Sequence, residues 1–142
     1  MIAQTIQLAL APVFVLVAIG NILNILSTRL GRIVDRARHL QVRHGQTEGT
    51  EHDMVVREIR AADQRIKLIG QAIRLLVISG LSIGTTVAIL FLEEIIGIAL
   101  ERVAAAFFIV SIGLLMGALT LFLRETQIAA AALRIPRGYL DS

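Results

Sequence analysis

Three long runs without a charged side chain constrain this sequence more than any other feature. Residues 1–28 carry no charge, residues 75–92 form an uncharged run of 18, and residues 103–123 form one of 21. A helix needs about 20 apolar residues to cross the ~30 Å hydrocarbon layer of a bilayer. Because the runs are continuous and do not alternate, they predict spanning helices, not the strands of a barrel. We therefore predict an all-α membrane protein with three spans in a single domain.

The boundaries of the spans follow from these runs. We place the first span at about residues 6–28, the second at about 73–93 and the third at about 101–123. Residues 29–72 then form one long connection, and residues 124–142 form a tail. The chain contains no Cys, which excludes disulfides and thiolate metal sites.

The basic residues are distributed unequally among the segments that flank the spans. Of the 14 Lys and Arg residues, ten lie in 29–74, three lie in the tail, and Arg102 stands alone between the second and third spans. Cytoplasmic segments of membrane proteins carry the excess of Lys and Arg. This pattern predicts an N-terminus outside the cell and a C-terminus in the cytoplasm. The basic surface next to the membrane makes anionic lipid a candidate partner.

The long connection shows the pattern of a helical pair. Apolar residues recur at alternating steps of four and three on both sides of a polar stretch at 45–53, which is typical of an antiparallel coiled coil. The first seam is Leu26, Leu30, Ile33, Ala37 and Leu40; the second is Val55, Ile59, Ala62, Ile66, Ile69 and Ile73. Folded back in register, Leu40 lies opposite Ile59 and Ala37 lies opposite Ala62. We predict that the first and second spans extend into a cytoplasmic antiparallel helical hairpin.

Polar residues of the first span share one side of the predicted helix. At 3.6 residues per turn, they fall within a little over a quarter of the circumference. This polar stripe consists of Gln7, Asn21, Asn24, Thr28, Arg32 and Asp35, and Arg29 lies beside it at the cytoplasmic end. Amide groups in hydrocarbon need hydrogen-bond partners, so the stripe should face protein or water. It either lines a pore or hydrated crevice, or it forms interhelical hydrogen bonds that fix packing.

Small residues mark the other two spans. Gly80 and Gly84 are four residues apart in the second span, and Gly113 and Gly117 are four residues apart in the third. Such pairs let two helix backbones approach closely. The sequence leaves open whether these surfaces meet each other or a neighbouring subunit.

No arrangement of residues indicates catalysis, a cofactor or a metal site. The sequence lacks a Ser–His–Asp arrangement and a phosphate-binding Gly loop. His39, His44 and His52 lie near the polar stretch, but their spacing matches no metal motif. The basic residues of 29–74 alternate with six acids and no aromatic residues, unlike a nucleic-acid-binding surface. We expect a protein that is not an enzyme and that binds no nucleic acid.

Several short motifs of the first third resemble a bacterial membrane family catalogued as domain of unknown function 2721. The motifs are Ala11-Pro12-Val13-Phe14, Gly20-Asn21 through Asn24, Thr28-Arg29-Leu30, and Arg32-Ile33-Val34-Asp35-Arg36-Ala37-Arg38. The resemblance covers nearly the whole chain, and it implies three spans in the bacterial inner membrane. That family has no established activity, so the resemblance implies no catalytic or binding residues.

Two hypotheses about function follow. In the first, the chain forms a homo-oligomer in the membrane, and its first spans face a shared, channel-like centre, because three spans are too few to form a transport pathway alone. In the second, the spans only anchor a scaffold or regulatory protein, whose basic cytoplasmic hairpin binds a protein partner or anionic lipid.

Overall fold

Three long helices account for nearly all of the described chain. The computed structural model describes residues 2–46 and 49–132. Its helices are α1 (Ile2–His44), α2 (Thr50–Ile96) and α3 (Glu101–Ala132). At 1.5 Å per residue they are about 65, 70 and 48 Å long. This part of the chain contains no strand, which confirms the all-α prediction.

Each helix contains one of the uncharged runs and is long and apolar enough to cross a membrane. Over 18-residue windows, the mean hydropathy reaches 2.2 in α1, 2.3 in α2 and 2.4 in α3. Only 17%, 22% and 11% of these windows are buried inside the chain. Most of the apolar surface of the spans is therefore available to lipid or to other chains.

Two glycines with positive φ angles stand at the ends of α2. Gly49 precedes the helix with a φ of 70°, and Gly97 follows it with a φ of 81°. The N–H of Gly97 donates to the carbonyl oxygen of Glu93 at 2.8 Å, which satisfies one of the last carbonyls of the helix. A residue with a Cβ rarely adopts this left-handed conformation, so both glycines suit the reversals of the chain.

The helix α2 lies between the other two and packs against both. The buried core joins Ile19, Leu26 and Ile33 of α1, Ala62, Ile69, Ala72, Leu76 and Ile83 of α2, and Ala118 of α3. Near the start of α1, Thr5 Oγ1 donates to Glu94 Oε2 at 3.2 Å. Near its end, Arg36 pairs with Glu58 at 3.2 Å. These contacts show that α1 and α2 run in opposite directions.

A buried hydroxyl joins α3 to α2. Ser79 Oγ donates to the backbone carbonyl oxygen of Ser111 at 2.7 Å. Ser111 Oγ in turn donates to the carbonyl oxygen of Phe107 within its own helix. Both serines are fully buried, and their hydroxyls are satisfied as an apolar environment requires.

The helices do not end where the predicted spans end. The helix α1 continues from residue 28 to His44, and α3 continues beyond residue 123 to Ala132. The first residues of the predicted tail are therefore helical. The remainder of that tail, 133–142, and residues 47 and 48 of the polar stretch lie outside the described residues.

Candidate functional site

A buried carboxylate holds two arginines at one end of the uncharged runs. Glu125 of α3 is fully buried. Arg29 Nε of α1 donates to Glu125 Oε2 at 2.5 Å, and Arg65 Nε of α2 donates to Glu125 Oε1 at 2.8 Å. One ion-paired cluster thus contains a side chain from each of the three helices.

Because the cluster is largely buried, its opposite charges stabilise one another. The side chains of Arg29 and Arg65 are 31% and 24% exposed, whereas that of Glu125 is 0% exposed. The Arg29 guanidinium also lies 5.7 Å from the centre of the Phe122 ring, which favours a cation at that position. A buried carboxylate is tolerated only when charged partners replace its lost hydration. The arginines therefore stabilise Glu125, and Glu125 fixes the direction of both arginines.

An open cavity of about 530 Å³ adjoins the cluster. Its volume lies within the range of roughly 300–1,000 Å³ that is common for ligand sites. The lining residues are Asn24, Ile25, Thr28, Arg29, Arg32, Ile33, Arg36 and Arg65. Four of the eight are arginines, so the cavity is strongly cationic. Such a surface suits an anion.

The polar stripe of α1 lies on the outer surface of the single chain. Gln7, Asn21, Asn24, Thr28 and Arg32 are all exposed, and Arg29 is half-buried. Within the described residues, the side-chain amides of Asn21 and Asn24 have no hydrogen-bond partner, whereas Thr28 Oγ1 donates to the carbonyl oxygen of Asn24. The buried residues Ile19, Leu26 and Ile33 lie about half a turn around the helix from the stripe. The stripe therefore does not contribute to packing within the chain.

The two glycines of each predicted packing pair have different surroundings. A Cβ on Gly80 would lie 3.7 Å from Leu16 Cδ1 of α1, and one on Gly117 would lie 3.4 Å from Leu75 Cδ1 of α2. A Cβ on Gly84 or Gly113 would meet nothing within 4 Å. One glycine of each pair therefore faces a neighbouring helix, and the other faces outward.

The residues of the two predicted seams lie in the interior or at its margin. On the first seam, Leu26, Ile33 and Leu40 are buried, and Leu30 and Ala37 are half-buried. On the second seam, Val55, Ala62 and Ile69 are buried, and Ile59, Ile66 and Ile73 are half-buried. The seams extend the core that joins α1 to α2 beyond the uncharged runs.

The histidines near the polar stretch form a ring contact. The rings of His44 and His52 lie with centroids 4.3 Å apart. Among the residues that the structure describes, no three His, Asp or Glu side chains are grouped as a metal site requires.

Glu125 and Arg65 are not among the candidate residues that the sequence predicts. The predicted boundaries place Glu125 in the tail at 124–142 and Arg65 in the hairpin at 29–72. A signal was present, because the buried positions Ala104, Ser111, Ala118 and Glu125 recur every seven residues along α3. This spacing keeps residues on one helix face, and it places Glu125 on the face that small residues occupy further up the helix.

The chain matches a known protein family over most of its length. Residues 9–135 match the family described as protein of unknown function (DUF2721). The match confirms the resemblance that the motifs of the first third indicated. No curated protein and no solved structure matches the chain.

Proposed function

We propose that this chain, which belongs to the DUF2721 family, is a non-enzymatic homo-oligomer of the bacterial inner membrane with a channel-like centre. The polar stripe of α1 faces that centre in the proposal, and neighbouring copies supply the other walls. Three spans enclose too little space to form a pathway by themselves.

The exposure of Asn21 and Asn24 is the observation that carries this proposal. Both residues lie within the uncharged run of α1, and neither side-chain amide has a partner in the described part of the chain. An unsatisfied amide in hydrocarbon costs up to several kcal/mol, although measured interhelical hydrogen bonds average about 0.6 kcal/mol. Contact with another copy or with water in a shared centre removes this cost.

The orientation and the hairpin belong to the same proposal. The N-terminus lies outside the cell, the C-terminus lies in the cytoplasm, and residues 29–72 form the cytoplasmic antiparallel coiled hairpin. Thirteen of the 14 basic residues then lie on the cytoplasmic side. The Arg36–Glu58 pair between α1 and α2 and the buried seam residue Leu40 support a paired helical extension.

The double variant Asn21→Leu with Asn24→Leu tests the role of the stripe. We expect it to insert normally and then either to dissociate into smaller species or to remain assembled with a changed ion flux. Light scattering after size-exclusion chromatography gives the mass, and reconstituted liposomes give the flux. Dissociation supports the stripe as a subunit contact, and changed flux in an intact oligomer supports a pore.

The control is Thr85→Val with Thr120→Val. These threonines are exposed on α2 and α3, outside the stripe, and each donates to a carbonyl of its own helix. We expect this variant to match the wild type in mass and flux. If the asparagine variant also matches the wild type in both measurements, the stripe has no role in assembly or conduction, and the proposal is wrong.

A second candidate function is favoured by the cavity beside Arg29. In this alternative the spans anchor a scaffold or regulatory protein, and the basic surface of the hairpin binds a protein partner or anionic lipid. The four arginines that line the cavity favour a lipid over a protein.

A further inference from the structure

The cavity beside Arg29 has an excess of positive charge that the described residues do not neutralise. Four guanidinium groups line it, whereas the carboxylates that pair with them are Glu125 and Glu58. Asp35 lies on the same side of α1, but it does not line the cavity. The four lining arginines and the two carboxylates together carry an excess of two positive charges, which favours an anionic ligand.

The two inner arginines keep free hydrogen-bond donors. Both Arg29 and Arg65 use Nε to bind Glu125. A guanidinium has five N–H donors, four of them on the terminal nitrogens. In the described part of the chain, those terminal nitrogens have no partner. Glu125 thus holds two guanidinium groups in place and leaves their terminal donors available.

The two outer arginines complete the lining from α1. Arg32 has no hydrogen bond or ion pair among the described residues, and Arg36 has only the exposed contact with Glu58. Arg32 lies about 4.5 Å and Arg36 about 10 Å further along the axis of α1 than Arg29. Three of the four side chains therefore line the cavity at successive positions along α1, and the fourth, that of Arg65, lines it from α2.

The cavity opens at the level where the uncharged runs of α1 and α3 end. Arg29 is the first charged residue after the run in α1, and Arg124 and Glu125 are the first after the run in α3. Ile25 and Ile33 are the apolar part of the lining. In a bilayer, the polar headgroups begin where such an apolar run stops. The phosphate groups of lipids lie at this level.

We infer that this cavity binds a phosphate group at the membrane surface, held by the terminal donors of Arg29 and Arg65 and by Arg32 and Arg36. The planar fork of a guanidinium matches carboxylate and phosphate oxygens in a bidentate geometry, and the position of the cavity at the headgroup level favours phosphate between the two. An anionic lipid headgroup and a soluble phosphate share this chemistry. The inference holds for a single chain and does not depend on the oligomer.

Binding of phosphatidylglycerol to the full-length protein in a maltoside detergent tests the inference. Native mass spectrometry counts the bound lipids, and phosphatidylcholine serves as the zwitterionic reference. We expect Arg32→Gln and Arg36→Gln each to weaken phosphatidylglycerol binding about fivefold, the effect of one basic side chain near the headgroups. Both side chains are exposed, so the variants should fold, and circular dichroism checks their helix content.

Arg38→Gln is the matched control, because Arg38 is an exposed arginine on the opposite side of α1 and does not line the cavity. It should bind phosphatidylglycerol as the wild type does. Equal loss in all three variants would mean unspecific attraction to the basic surface and would overturn the inference, as would unchanged binding in Arg32→Gln and Arg36→Gln. Competition by inorganic phosphate distinguishes a lipid headgroup from soluble phosphate as the ligand. If it competes at millimolar concentration and loses affinity in the same two variants, the site also takes soluble phosphate; if it does not compete, the ligand is the lipid.

Discussion

Arg29 Nε of α1 and Glu125 Oε2 of α3 lie 2.5 Å apart, although 96 positions separate the two residues in the sequence. This pair joins the two outer helices, which otherwise pack mainly against α2. Because Arg65 of α2 binds the other carboxylate oxygen, Glu125 links all three helices.

Glu125→Gln should destabilise the fold. The substitution keeps the shape of the side chain but leaves two guanidinium groups without their counter-charge in a largely buried site. Breaking a buried ion pair by removing one partner costs about 3 kcal/mol or more. The thermal unfolding midpoint of the purified protein in detergent should therefore fall clearly.

Glu58→Gln is the control for that measurement. It removes the carboxylate from the Arg36 pair, in which both side chains are more than half exposed. Exposed ion pairs contribute less than about 1 kcal/mol, so the midpoint should stay close to that of the wild type. Equal midpoints for the two variants would mean that Glu125 does not stabilise the junction of the helices.

Gly80→Leu should destabilise the contact between α1 and α2. A Cβ at position 80 would already lie 3.7 Å from Leu16 Cδ1, so the further atoms of a leucine would displace the Leu16 side chain or shift α1. Overpacking of this kind costs about 1–3 kcal/mol. Gly84→Leu is the matched control variant, because a Cβ at position 84 would meet no atom of the chain within 4 Å. If both variants unfold at the same temperature, α1 does not pack closely on Gly80.

The matched register of the predicted hairpin should bring positions 37 and 62 together. Ala62 is buried and Ala37 is half-buried, and the chain contains no Cys that could compete. Ala37→Cys with Ala62→Cys should form a disulfide within one chain, detected as a mobility shift under non-reducing conditions. Arg38→Cys with Ala62→Cys should not form one, because position 38 is exposed on another side of α1. Efficient bonding of position 37 only to positions a full turn from 62 would contradict the register.

The proposed topology predicts opposite accessibility for the two connections between helices. Gly97 lies between α2 and α3, Gln46 lies between α1 and α2, and both are exposed. A membrane-impermeant thiol reagent should label Gly97→Cys in intact cells and should label Gln46→Cys only after permeabilisation. Labelling of position 46 from outside intact cells would reverse the orientation.

The three helices could be predicted from the sequence because a single physical requirement determines them. An uncharged run of about 20 residues has few stable states other than a spanning helix. The apolar seams could also be predicted from the sequence, because a spacing of three and four residues keeps Leu26 and Ile33 on one face of α1. The sequence therefore predicted the elements and the sides of α1 and α2 that carry apolar residues.

The ion-paired cluster could not be predicted in the same way. A glutamate beside Arg124 has the composition of a solvated tail, and only the position of α3 against both other helices makes Glu125 buried. Likewise, the pattern of glycines does not distinguish Gly80, which faces α1, from Gly84, which faces outward. The seven-residue spacing in α3 indicates the face that carries Glu125, but periodicity within one helix does not show which other helices pack against that face or which glycine meets one of them.

Crosslinking between copies through the polar stripe tests the central claim most directly. Asn24→Cys, introduced into the Cys-free chain in native membranes and treated with a short bifunctional maleimide, should give a covalent dimer. Ile109→Cys is the matched control, because Ile109 is 69% exposed on α3, outside the stripe. The account predicts a dimer band for position 24 and monomer for position 109. If position 24 stays monomeric, or if position 109 crosslinks as readily, the polar stripe does not face a second copy of the chain.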